Sequence, residues 1–125
     1  MSWYVDSSVI LSVIFNESEV AKFQTLFRND LVTSELSKIE VLRTVTKTDD
    51  TLLPQARKLL RQLSFIEMSN LILERACEYT SEITVKTLDA IHLATAETLS
   101  PVIEGVITLD KQMAKNARKL HLTVY

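Results

Sequence analysis

The sequence predicts a three-layer α/β/α domain over residues 1–125, with a central, mostly parallel five-stranded sheet covered by helices on both faces. Three observations carry this prediction. Short β-branched and aromatic runs alternate with longer segments whose apolar residues recur at helical spacing, the order that builds parallel sheets with helical crossovers. One glycine and two prolines, with no repeat or low-complexity run, leave no linker at which to divide the chain. A chain of this size buries about two-thirds of its unfolded surface, enough for a single core without disulfides or a structural metal.

In order, "SWYVD" is the first strand and "SSVILSVIFN" a helix, and "ESEVAKFQTLFRN" continues with Val20, Phe23 and Phe27 at helical spacing. "DLVTS" is the second strand, after which Thr33 or Ser34 caps the helix "ELSKIEVLRTVTK". Pro54 suits the first turn of a helix whose Ala56, Leu59, Leu60 and Leu63 form one apolar face. "SFIEM" is the third strand and a helix runs from about Leu71 to Ser81. "TLDAIHLATAETL" is the next helix, and Gly105 opens the strand "VITL". "KQMAKNARKL" buries Met113, Ala117 and Leu120, and "HLTVY" closes the chain as the fifth strand.

Composition removes several function classes. A net charge of -2 and a pI near 5.7 provide no global basic field for a polyanion, so RNA or DNA would have to be held by local charge or by a metal. The single Cys77 forms no intrachain bridge and no zinc spacing exists, which points to a reducing cytoplasm. The apolar run Val9–Phe15, broken by Ser12, is far short of the roughly 20 residues of a membrane span. No basic residue precedes it and Asp6 lies just before it, so export is not expected either.

Four acids stand at telling positions. Asp6 ends the first strand and Asp110 the fourth, at the edge where ligands gather in parallel α/β sheets. Asp89 opens the helix before that fourth strand, and Glu40 sits in the stripe Leu36, Ile39, Glu40, Arg43, which is expected to face inward. Taken singly, Asp89 and Asp110 read as favourable charges at helix N-termini, Asp6 as a turn acid and Glu40 as the i+3 partner of Arg43. Together, four carboxylates on one edge repel unless a cation neutralises them. Oxygen-only donors favour Mg²⁺ or Mn²⁺.

The stretches "YVDSSV", "TSELSKIEVLR", "LDAIHLATA" and "VITLDKQMAKNA" resemble, in wording, order and spacing, the PIN-domain nucleases, most closely the VapC-type toxins of bacterial toxin–antitoxin pairs. The resemblance spans essentially the whole chain. It implies that Asp6, Glu40, Asp89 and Asp110 are the catalytic acids that bind Mg²⁺ or Mn²⁺. It further implies an endoribonuclease that cleaves RNA, commonly a structured RNA such as tRNA, by metal-activated water, leaving a 5′-phosphate and a 3′-hydroxyl. A homodimer and a cognate antitoxin whose C-terminal tail enters the site are also implied. Two departures are noted. "KLHL" puts His121 where many relatives carry Gly, and Lys111 follows Asp110 where some carry another acid, which argues against a second metal.

Ser8 and Thr108 are placed to hydrogen-bond Asp6 and support the site from behind, and Arg43 to hold Glu40 or to touch a phosphate. His92 follows Leu88 and Ile91 on an apolar face and reads as a core histidine. Arg57, Lys58, Arg61, Lys111, Lys115 and Arg118 form solvated faces that are also the available phosphate contacts. Dehalogenase-type phosphatases require a second Asp where Ser8 stands, and "FIEMSN" offers a receiver domain no phosphoacceptor Asp. The alternative of another class is a catalytically inactive PIN-like binding or scaffold module.

Overall fold

The structure, a computed structural model, describes residues 2–15 and 30–125, so the expected helix around Val20, Phe23 and Phe27 lies outside the described residues. Labels below number the described elements. They are β1 (Ser2–Val5), α1 (Ser7–Ile14), β2 (Leu31–Ser34), α2 (Glu35–Thr48), α3 (Leu53–Leu60), β3 (Ser64–Ile66), α4 (Asn70–Glu78), α5 (Thr87–Thr98), β4 (Ile103–Ile107) and α6 (Lys111–Lys119).

The sheet is parallel throughout in the order β3-β2-β1-β4. The chain therefore builds outward from β1 on one side and then crosses to its other side, which makes the β1/β4 junction a topological switch point. Beyond the carboxyl ends of two such strands the loops part and leave a crevice. Residues following β1 and β4 are delivered to that crevice by topology alone.

Strand alternation sorts the core into two layers. Val5 and Ile107 point to the side covered by Val9 and Ile10 of α1, Val41 and Val45 of α2, and Ala56 and Leu60 of α3. Their neighbours Tyr4 and Val106 point to the other side, against Leu93 and Ala96 of α5 and Met113 and Ala117 of α6. The expected three-layer architecture is present.

Local chemistry starts several of the helices. Ser34 caps α2 through Leu36 N, Ser69 caps α4 through Ile72 N, and Asp110 caps α6 through Gln112 N and Met113 N. Pro54 lies in the first turn of α3, where its missing N–H is harmless. After α6, His121 takes the left-handed turn with φ 63°, as its position in "KLHL" suggests.

Three expectations need correction. The sheet has four strands among the described residues, because "HLTVY" contributes a single parallel bridge at Val124. Both backbone hydrogen bonds of that bridge fall on the one residue Val106, so no ladder forms. β4 begins at Ile103 instead of Gly105, whose role is close approach: a Cβ there would lie 2.3 Å from the Thr123 carbonyl oxygen. Finally, α2 buries Leu36, Ser37, Val41 and Val45, while Ile39 is 55% exposed. Ser37 occupies a core position because its hydroxyl shares a hydrogen bond with Thr33, and an apolar-only pattern misses a face that includes it.

Candidate metal centre at the carboxyl edge of the sheet

Asp6 is the first residue past β1, and its side chain is buried, 3% exposed. Its Oδ1 accepts from the Ser8 amide at 3.1 Å and from Ser8 Oγ at 2.5 Å, which also caps α1. Its Oδ2 accepts from Thr108 Oγ1 at 2.5 Å. The two hydroxyls accept in turn, Ser8 Oγ from Leu109 N and Thr108 Oγ1 from Asp110 N. Asp6 is thereby locked to the end of β4, and the expected supporting roles of Ser8 and Thr108 match these contacts. Burial raises the Asp6 carboxyl above its ordinary range, opposed by the Ser8 and Thr108 hydrogen bonds and by His92.

Asp89 lies in the first turn of α5, whose N-cap Lys86 makes no side-chain cap. Among the described residues its carboxylate accepts no hydrogen bond. Its carboxyl is raised by burial first, then by Asp110, with Asp6 and Glu40 adding and His92 opposing. All four acids thus share one electrostatic neighbourhood. Asp110 spends Oδ1 on the α6 cap, at 2.8 Å from Gln112 N and 3.0 Å from Met113 N.

Glu40 departs from the expected pairing. Its Oε1 lies 2.6 Å from Nε2 of His92, while Arg43 is exposed and forms no ion pair among the described residues. His92 is 1% exposed, and its Nδ1 lies 2.6 Å from the hydroxyl of Tyr4, itself fully buried. Sequence reading placed His92 in the core, where it is, but missed that it touches an acid of the site. The available signal was its burial in "LDAIHLATA", since a buried imidazole needs partners for both nitrogens.

Among the described residues no three His, Cys, Asp or Glu side chains are gathered tightly enough to hold an ion by themselves. Mg²⁺ characteristically keeps several waters and takes only one or two carboxylates directly. Among the described residues, the oxygens of these four acids left without hydrogen-bond partners are both of Asp89, Oδ2 of Asp110 and Oε2 of Glu40. Such a hard, anionic, mutually repelling donor set suits a hydrated divalent cation. An apolar cavity of about 500 Å³ between α4 and α5 is lined by no carboxylate.

The PIN domain family model matches residues 3–119 of the chain. The chain is 31% identical to Ribonuclease VapC46 of Mycobacterium tuberculosis, over 97% of this chain and 94% of that one. It is 29% identical to Ribonuclease VapC35 of the same species, over 97% and 93%. Among solved structures, a toxin-antitoxin complex from Klebsiella pneumoniae superposes with a TM-score of 0.75 at 24% identity, covering 90% of each chain. VapBC2 from Rickettsia felis, bound to a DNA fragment from their promoter, superposes with a TM-score of 0.75 at 16% identity over 100% and 99%. With this α/β fold in place and the family model spanning nearly its whole length, the chain belongs to the PIN-domain family.

Proposed function

We propose that this chain is an endoribonuclease, the toxin of a type II toxin–antitoxin pair, and that Asp6, Glu40, Asp89 and Asp110 form its Mg²⁺- or Mn²⁺-dependent active site. The observation that carries the reading is that Thr108 joins Asp6, at the end of β1, to the end of β4 where Asp110 follows, with Oδ2 of Asp110 and both oxygens of Asp89 left without partners among the described residues. The ribonuclease names of the relatives and the toxin–antitoxin titles of the structural neighbours support it.

Within the site the residues divide the work. Ser8 and Thr108 hold both oxygens of Asp6, so its charge is fixed at the crevice. Asp89, Asp110 and Glu40 keep oxygens free for the ligand. A bound Mg²⁺ or Mn²⁺ supplies Lewis acidity toward water and toward the phosphoryl group under attack. Lys111 and Arg118 line a groove of about 220 Å³ with Asp110 and Thr108, where they can pair with RNA phosphates beside the scissile bond. A tRNA substrate, a homodimer and a cytoplasmic location belong to the same proposal. Among the described residues no helix is long and apolar enough to cross a membrane.

The test is cleavage of a tRNA pool by the purified chain with Mn²⁺, with EDTA, and as Asp6→Asn. Cleavage only in the first case, with 5′-phosphate ends, supports the reading. Absence of cleavage with Mn²⁺ alongside retained RNA or partner binding favours an inactive binding module.

A further inference from the structure

We propose that His92 is a positioning residue of this site, forming with Tyr4 a buried strut that aims the free oxygen of Glu40 into the crevice. The inference rests on the metal-site reading above and adds two residues to it. Both ring nitrogens of His92 are committed, Nδ1 to the Tyr4 hydroxyl and Nε2 to Glu40 Oε1, each at 2.6 Å. Burial keeps the Tyr4 phenol protonated on one side of the ring, and on the other Nε2 donates to Glu40 Oε1. The Tyr4 and His92 rings meet edge-on with centroids 6.0 Å apart, which restricts the imidazole further.

The fold gives this strut a task. Glu40 stands on α2, which covers one face of the sheet, and His92 on α5, which covers the other. A glutamate on one layer that must meet Asp89 on the opposite layer has three side-chain torsions to settle. Anchoring Oε1 settles them and leaves Oε2 as the free atom. His92 stands one helical turn after Asp89, so α5 carries one acid of the site and the anchor of another. A packing role alone would be filled at lower desolvation cost by leucine, whereas three polar groups linked in series fix one orientation.

Mn²⁺ binding to the metal-free full chain, measured calorimetrically with no RNA present, tests this. His92→Leu is expected to weaken Mn²⁺ about 10- to 100-fold, the usual effect of removing a partner that orients a ligand. His92→Gln, which again offers an acceptor and a donor on one carbon, recovers most of the loss. In the Glu40→Gln background, His92→Leu adds less than about twofold, because the strut acts through Glu40. If His92→Leu does not fold, Tyr4→Phe decides: weakened Mn²⁺ binding supports the strut and unchanged binding overturns it. Wild-type affinity in His92→Leu, or a loss that multiplies in full on Glu40→Gln, also overturns it. Failure of the underlying metal reading looks different, since wild type then binds no Mn²⁺ or Asp6→Asn binds it equally well.

Discussion

Thr108 Oγ1 donates to Asp6 Oδ2 at 2.5 Å, joining the ends of β1 and β4 across 102 residues of sequence. Removing this donor leaves a buried carboxylate oxygen without a partner. Thr108→Val, nearly equal in shape, is expected to lose about 1–3 kcal/mol of stability in urea at pH 7, the usual cost of an unsatisfied buried acceptor. Wild-type stability in that variant contradicts the role given to Thr108.

Asp6 and Asp89 determine how the metal-free fold responds to pH. Both carboxyls are raised from 3.8, chiefly by burial, so the folded chain holds these protons more tightly than the unfolded chain. Their contribution is fully present below the unfolded value of 3.8 and is lost as pH rises through the raised folded values. Without divalent metal, the melting temperature is therefore expected to rise as pH falls through the raised folded values toward 3.8, and Asp6→Asn should flatten that slope. A slope identical in wild type and variant removes these two acids as its cause.

Asp89→Asn relieves repulsion in the acidic neighbourhood. Because Asp89 is only about half buried, solvent screening limits the metal-free gain to about 1 kcal/mol, or about 4 °C for a chain of this size. The same variant should lose the stabilisation by Mn²⁺ expected of wild type, which by mass action would reach about 2.7 kcal/mol at one hundred times Kd. Calorimetric melting with and without Mn²⁺ reads both effects. Equal Mn²⁺ shifts in the two proteins place the ion elsewhere.

How much of this was legible in the sequence depended on the range of the contacts. Asp6 and Ser8 are two residues apart, and the strand–helix word around them announces the acid and its hydroxyl partner, while the role of Asp6 as the cap of α1 emerges only in the structure. Thr108 was placed by the same logic at the end of β4. The pairing of Glu40 with His92 spans 52 residues and left only an indirect trace, so Arg43, an i+3 neighbour, was assigned instead. Ser37 hid the buried face of α2 because a satisfied hydroxyl in the core looks polar in a one-dimensional pattern. The fifth strand failed for a related reason: "HLTVY" has strand composition, but its pairing to β4 is confined to Val106.

Asn116 carries a prediction that composition did not suggest. It is fully buried in α6, and its side chain accepts from Thr84 N at 2.9 Å and donates to Thr84 Oγ1 at 2.9 Å. This ties the segment leading into Asp89 to the helix that Asp110 caps. Asn116→Ala should cost about 1–3 kcal/mol and weaken Mn²⁺ binding as the two acids lose their fixed separation. Loss of stability with unchanged Mn²⁺ affinity would limit Asn116 to folding.

An antitoxin that enters this crevice meets four carboxylates, so its inhibitory tail should present Arg or Lys. Changing such a tail Arg to Ala in an antitoxin found to bind this chain is expected to restore cleavage while much of the complex survives. Full inhibition without the basic residue contradicts an electrostatic plug.

The most direct measurement is cleavage of RNA by one preparation of the pure chain, with Mn²⁺ and with EDTA, beside Asp6→Asn of verified fold. The account predicts 5′-phosphorylated fragments from wild type with Mn²⁺ and none under the other two conditions. Undiminished cleavage by folded Asp6→Asn, or by wild type in EDTA, contradicts it.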